Sequence, residues 1–401
     1  MKVPSIFRIG AFALILFGIL TGPQALRSAW SAEWFLEPSL TVRGEVNSNL
    51  TLTTLDHDAT YGHWISPGAR FGGATEALEV SGRLAADFVN YYGGQNTSLT
   101  NLYFPLATKY TMEKDVFSVD GGFTRDNTLM GELRQTGVVL SFTQRNYWTI
   151  VPSWKHNITE KLSATGMYQY NDARYENGAR LGLADYTIHA GSGGLSYLLT
   201  ERDQVQVNAV LVRFTAADLG LRSTIVGPQA SYSHMFSETL SGSLSGGPKH
   251  VASTLSSPGG SLTDGVWVWV FSASVEKKWE DWRVKGDLGR EINPSGFGLL
   301  LRTDKVSLEV SRRLSERLTA SVTGLYIIAN EVETETAATV FPENRLLYVT
   351  PKFSWRLSEW WTADVTYTYA QRDLPSQSLS ALSNAGMIMF TYFPPKLSVG
   401  R

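Results

Sequence analysis

The chain has 401 residues, a formal net charge of −2, 43% hydrophobic and 12% aromatic side chains, and no cysteine. The missing cysteines exclude disulfides, thiol catalysis, Cys-ligated zinc and a lipid-anchored lipoprotein. A charge this close to zero, with no clustered basic face, excludes the electrostatic footprint of a nucleic-acid-binding protein.

The first 31 residues differ from the rest. Lys2 and Arg8 lead into "IGAFALILFGIL", and Gly22-Pro23 ends the run. A charged start and a short apolar core predict a secretory signal peptide. Small residues at Ala29 and Ser31 place its cleavage before Ala32. The apolar run is about a dozen residues, too short for a membrane-spanning helix of about 20. The segment carries three basic and no acidic side chains, so its removal leaves a more acidic chain.

From residue 32 the pattern has period two. A first strand is predicted at about 35–47. After it a short knot recurs: "ATEALEVSG" around Glu76, "TMEKDVFSV" around Glu113, "ITEKLSATG" around Glu160 and "LTERDQVQV" around Glu201. It continues as "FSETLSGSL" around Glu238, "KWEDWRVKG" around Glu280, "LSERLTASV" around Glu316 and "LSEWWTADV" around Glu359. A spacing of about forty residues marks a repeated supersecondary unit. After each knot the side chains alternate. Following Glu359, Trp361, Ala363, Val365, Tyr367 and Tyr369 interleave with Thr362, Asp364, Thr366 and Thr368. Nine or ten alternating residues exceed the strand of about five or six usual in soluble proteins and match a tilted bilayer crossing.

The knots are predicted to be tight turns between strand pairs. The stretches between pairs, such as "TLDHDATYG", "ENGARLGLAD", "SSPGGSLTDG", "EVETETAATVFPEN" and "PSQSLSALSN", are predicted to be longer loops. Two strands flanking each knot, the first strand, and a last one at about 384–394 give eighteen, with sixteen the alternative. Residues 126–145 are the ambiguous region. "TGVVLSFTQ" there suits either a strand or a loop, and the segment is long enough to fold inward as a constriction. Trp279, Trp282, Trp360 and Trp361 beside the turns form one predicted aromatic girdle. Tyr91, Tyr92, Tyr170, Tyr175, Phe214, Tyr326 and Tyr369 form the other. The fold class is therefore all-β: a transmembrane antiparallel up-and-down β-barrel of about 18 strands. The predicted domain division is 1–31 signal peptide, 32–395 barrel and 396–401 a short tail beyond Pro394-Pro395.

Charges on strand faces are the candidate functional groups. Glu79, Arg83 and Asp87 share one face. Glu276, Lys278, Arg283, Lys285, Asp287, Lys305, Glu309 and Arg313 fall on the polar faces of three successive strands. Lipid penalises such charges by a few kcal/mol at the midplane, so they are predicted to line the lumen. There they either impose a field on passing solutes or satisfy one another as cross-strand ion pairs. The six histidines, His57, His63, His156, His189, His234 and His250, form no metal-binding pair on a strand face. No nucleophile elbow or phosphate loop occurs. No catalytic residue, cofactor or metal is predicted, and an enzyme ranks third among the readings.

The stretches "FLEPSLTVRGEVNSNLTL", "YGHWISPGARF", "YWTIVPSWKHNITEKLSATGMYQYNDARYEN" and "LADYTIHAGSGGLSYLLTERDQVQVNAV" resemble the outer-membrane β-barrel family associated with exosortase and PEP-CTERM gene clusters. The last strand, "AGMIMFTYF", resembles the C-terminal signal recognised by the barrel-assembly machinery, except that Pro394, Pro395 and a basic tail follow it. The resemblance implies the outer membrane of an exopolysaccharide-producing Gram-negative bacterium. Its partners there would be lipid and lipopolysaccharide, the assembly machinery and components of exopolysaccharide export. It assigns no reaction. The leading functional expectation is a porin-like channel for hydrophilic solutes or saccharides. The alternative is a structural or partner-binding barrel of an exopolysaccharide or surface-protein export system.

Overall fold

A computed structural model describes residues 33–94, 96–133, 142–257, 260–332 and 341–399. The signal peptide, its cleavage point and most of "TGVVLSFTQ" lie outside the described residues. Eighteen long strands follow in chain order: β1 (Glu33–Asn47), β2 (Thr60–Ala74), β3 (Leu78–Gly93), β4 (Thr97–Thr111), β5 (Asp115–Asn127) and β6 (Gln144–Asn157). Next come β7 (Leu162–Tyr175), β8 (Tyr186–Leu198), β9 (Asp203–Ala216), β10 (Leu221–Ser237), β11 (Leu240–Ser257) and β12 (Gly260–Lys278). The set ends with β13 (Trp282–Pro294), β14 (Leu300–Arg313), β15 (Leu318–Glu331), β16 (Asn344–Arg356), β17 (Trp361–Leu374) and β18 (Leu379–Tyr392). Each pairs antiparallel with its neighbours in the chain, and β1 pairs with β18 from Leu40↔Tyr392 to Asn47↔Ala385, which closes the barrel. Beyond Pro394 and Pro395 a short β19 (Leu397–Val399) resumes the pairing along β1, opposite Trp34–Leu36.

Strand parity separates two environments. On β1, Trp34, Leu36, Leu40, Val42 and Val46 point outward and are exposed, while Arg43, Glu45 and Asn47 point inward. The register carries this parity around the wall. Val42 stands opposite Ile65 and Phe390, and Arg43 opposite Trp64 and Met389. An exposed apolar outer face is what lipid requires of a closed barrel.

All eight glutamates of the repeat fall in the tight connections of the turn rim. At six of these turns the bonding is done by the hydroxyl just before the glutamate. Thr75 accepts from the Leu78 N–H at 2.9 Å, and Thr159 from Leu162 at 2.9 Å. Ser237 accepts from Leu240 at 3.0 Å, and Ser358 from both Trp360 and Trp361 at 3.2 Å. Such hydroxyl acceptors take N–H groups that the turn would leave without a partner. The Glu113 and Glu280 turns have Met112 and Trp279 at that place and close on backbone bonds, with the Arg313 side chain reaching the Glu280 carbonyl from outside the turn.

The loop rim departs from expectation. Much of "SSPGGSLTDG" and "PSQSLSALSN" is strand: Gly260–Gly265 belong to β12 and Leu379–Asn384 to β18. These stretches are polar because they lie at the rim ends of their strands. There their side chains bond one another, as Thr254 and Thr263 do at 3.0 Å and Ser380 and Asp373 at 2.7 Å.

Replacing Ser358 by Ala should lower the unfolding free energy in urea by about 0.5–1.5 kcal/mol, the net worth of a hydrogen bond. Glu359→Gln should leave it unchanged. An equal loss in both variants would return the structural role to the glutamate.

Candidate functional site

The predicted lumen charges share the inner parity, but they form two separate groups. Glu79, Arg83 and Asp87 stand on β3. Glu79 pairs with Lys109 at 3.4 Å, Arg83 faces Arg70, and Asp87 faces Asn101. The larger group spans β12 to β14. Glu276 takes Arg283 at 2.5 Å and Lys278 at 3.5 Å, and Arg283 reaches Glu309 at 3.6 Å. Lys285 pairs with Asp287 at 3.2 Å, to which Ser307 also donates. Arg313 sits at the turn rim on Asp281, 3.0 Å away. Lys305 and Arg83 have no ion-pair partner among the described residues. Most of the charges are therefore paired, some across strands and some along one strand. Water-exposed pairs of this kind contribute little to stability.

The interior nearer the loop rim is instead filled by inserted segments. After β5 the chain turns inward as a short helical turn, Leu129–Leu133. Leu129 and Leu133 pack with Leu52, Ile327, Leu346 and Ala370 on the β15–β17 side. Leu50 and Phe142 join this cluster to a second one of Trp64, Val89 and Tyr91 on β2 and β3. Leu52 is 1% exposed and has a φ of 48°, a left-handed conformation that costs a leucine about 1–2 kcal/mol. Its burial at the centre of the cluster offsets that cost.

A third cluster lines β7–β12 and takes in Ala173, Tyr175, Tyr186, Phe214, Val251 and Val268. The β13–β14 connection, residues 295–299, tucks beneath it through Phe297 and Leu299. Tyr175 and Phe214 of this cluster and Tyr91 of the second, all predicted for the outer girdle, are buried on the inner face. The reason is parity: each has the parity of the inward residues, and the inserted segments give it an apolar surface. Trp267 and Trp269 of β12, 64% and 66% exposed, stand on the outer face at that level instead.

Glu132 ties the inserted parts together. Its carboxylate accepts from the Tyr175 hydroxyl and from the Gly296 N–H at 3.0 Å, and lies 3.8 Å from Arg145. Arg145 is buried and holds Asp126 through two bonds of 3.0 and 2.7 Å. Burial pushes the Glu132 carboxyl above the ordinary carboxylate range, against the opposing pull of Tyr175, Gly296 and Arg145.

On one side of the inserted turn a cavity of about 560 Å³ opens into the lumen. Its lining joins β1, β15–β18 and the inserted segments. Arg43 lies over the Trp64 ring at 3.8 Å, and Tyr91 meets Trp64 edge-on at 5.3 Å. Thr323, Thr350, Thr366 and Thr368 make a wall of hydroxyls, with Asn47 and Ser383 beside it, and Asn101 of β4 lines the same cavity. The sequence reading missed this chamber. The alternation that isolates Thr366 and Thr368 on a polar face was visible, but not the inward fold that roofs the face over.

The histidines are accounted for locally. His156 bonds Asp115 at 2.8 Å and His234 bonds Asp203 at 2.5 Å. His189 bonds Tyr168 at 2.7 Å, and His63 bonds Asn90 at 3.2 Å and stacks on Tyr92. His57 bonds the Leu55 carbonyl at 2.8 Å, and His250 lies against Trp267. Among the described residues, no three His, Asp or Glu gather to hold a metal ion.

Arg145→Met should destabilise the barrel by about 3–5 kcal/mol, since it leaves Asp126 buried without its counter-charge. The thermal unfolding midpoint in detergent measures this. The raised Glu132 carboxyl gives the pH dependence its sign. The folded protein binds that proton more tightly than the unfolded chain does. The resulting stabilisation is full below the unfolded value and is lost as pH rises through the higher folded value. Glu132→Gln should flatten the decline in midpoint as pH rises above the ordinary carboxylate range. An unchanged slope would place the titration elsewhere.

Comparison with protein-family profiles finds no match, and no curated protein matches the sequence. Solved structures of similar trace include Pseudomonas aeruginosa OccK7 (OpdD), 10% identical, with a TM-score of 0.47, covering 92% of this chain and 99% of that one. Acinetobacter baumannii OccAB4 is 9% identical, with a TM-score of 0.46 and coverage of 92% and 98%. Pseudomonas aeruginosa OccK5 (OpdH) is 11% identical, with a TM-score of 0.45 and coverage of 91% and 99%. At such identities the functional argument rests on this chain's own residues.

Proposed function

We propose that the protein is an outer-membrane channel for small hydrophilic solutes, exported by residues 1–31 as a cleaved signal. The observation that carries this reading is the chamber of about 560 Å³, set with hydroxyl and amide groups among apolar side chains, inside a closed eighteen-strand wall. Barrels of 16–18 strands are wide enough for an aqueous path. Here the inserted turn narrows that path, and the hydroxyl and amide groups beside it select what passes. The charges of β12–β14 line the route with both signs.

A second reading, a structural or partner-binding barrel, is favoured by the way Leu129–Leu133 ties several sectors of the wall together. On this reading, which draws on the sequence resemblance to exosortase-associated barrels, the partner would be a component of exopolysaccharide or surface-protein export. Lipopolysaccharide and the assembly machinery are the further partners this location implies. Crosslinking in the native envelope followed by capture of the barrel tests this reading, and recovery of the barrel alone counts against it.

The channel reading is tested in planar bilayers. The purified protein should show discrete conductance steps. Leu133→Ala should weaken docking of the inserted turn by about 2–5 kcal/mol. Every 1.4 kcal/mol is a tenfold change in population, so the larger-conductance state should become at least about tenfold more frequent. Silence at every voltage in both proteins would remove the channel.

A further inference from the structure

We propose that the chamber beside Leu129–Leu133 is a binding site for an uncharged polyhydroxylated solute, a saccharide of one or two rings. The proposal deepens the channel reading by naming what the route recognises and where.

Three observations carry it. First, the chamber holds polar atoms that are buried and have no hydrogen-bond partner. Six such side-chain atoms occur among the described residues, and three belong to residues that line this one cavity: Arg43 Nε, Asn101 Oδ1 and Thr366 Oγ1. A buried polar atom left unpaired is costly, so native proteins keep few, and their gathering in residues around one space marks a place where a ligand completes them once their side chains turn toward it. Together they offer a donor, an acceptor and a hydroxyl that does both, the set that sugar hydroxyls need.

Second, the remaining lining matches the two surfaces of a sugar ring. Thr323, Thr350 and Thr368 supply hydroxyls on one side, and Tyr348 supplies aromatic surface, to which Trp64 and Tyr91, 3% and 8% exposed, add only a margin. Arg43 already covers the Trp64 face, which fixes its guanidinium in place before a ligand arrives. Third, the charges balance. Arg43 stands two residues from Glu45 on the same face, and Lys352 is paired with Asp364 at 3.2 Å. A ligand with net charge of either sign would meet a like charge without a surplus of the opposite one.

Maltose is the probe, titrated calorimetrically into the full-length protein in detergent. Saturable heat is expected, with sodium glucuronate and lysine binding more weakly. Thr366→Val keeps the side chain's shape and removes a hydroxyl that has no internal partner. It should weaken maltose binding about tenfold, the worth of one hydrogen bond, with the thermal midpoint unchanged. Arg43→Gln should weaken binding at least as much, and Thr254→Val at the loop rim should not affect it. Absence of saturable maltose binding, tighter binding of glucuronate, or an affinity indifferent to both chamber variants would overturn the proposal. Discrete conductance without maltose binding would sink the site and leave the channel standing. Maltose binding without conductance would do the reverse.

Discussion

In lipid every backbone N–H and C=O must find a partner within the protein, since each unpaired group costs several kcal/mol. Closure of β1 on β18 meets that demand at the barrel's seam, and the rest of the architecture follows from it. A closed wall fixes strand parity, because one face must meet lipid and the other cannot. Parity in turn makes the turns critical: a slip of one residue would send Arg43 outward and Val42 inward. The hydroxyls before the repeated glutamates hold that register, and so the repeat is written where it is. β19 extends the same logic past the two prolines, which cannot donate, by resuming the pairing opposite Trp34–Leu36.

Inside the wall the physics divides along the barrel axis. Toward the turn rim the inner face is polar, and its charges pair across β12, β13 and β14. Toward the loop rim the inner face is apolar and would be unfavourable against water. The inserted segments remove that exposure. Leu129 and Leu133 meet the β15–β17 wall, Phe142 and Leu50 bridge to Trp64 and Tyr91, and Phe297 and Leu299 cover the β8–β12 wall. The inserted turn brings its own polar liability, Glu132, and satisfies it from Tyr175 and Gly296.

Much of the wall was legible in the sequence because period two over long stretches has a single reading. The eight turn positions and the eighteen strands follow from that period and the repeat. The interior was less legible, for an identifiable reason. Tyr91 and Tyr92 are adjacent aromatics, and composition cannot say that one faces lipid and the other a buried cluster. Only the register opposite Gly62 and Tyr61 decides it. Likewise Glu132 and Arg145 stand near each other in sequence without a pattern. Their meeting with Tyr175 and Gly296 depends on three connections folding into one space. The charges on β12–β14 were visible as polar faces, but a face does not show whether its charges are spent on one another.

The unequal strands explain why the β13–β14 connection goes inside. β10, β11 and β12 have 17, 18 and 19 residues, whereas β13 has 13. Pairing of β12 with β13 stops at Phe271↔Arg290, where Arg290 binds Asp304 through two bonds of 2.6 and 3.0 Å. Beyond that point β12 carries Val266 and Val268 on its inner face, paired with β11 on one side and with no β13 residue on the other. Ile292 and Leu300 have the outer parity of their own hairpin, yet they join the same apolar cluster as Val268. The hairpin tip must therefore lie inside the wall that β12 continues, the two overlapping like the edges of a rolled sheet. This overlap converts a mismatch in strand length into apolar burial. It also brings Gly296 within reach of Glu132, so the same short connection that seals the overlap anchors the inserted turn beside the chamber.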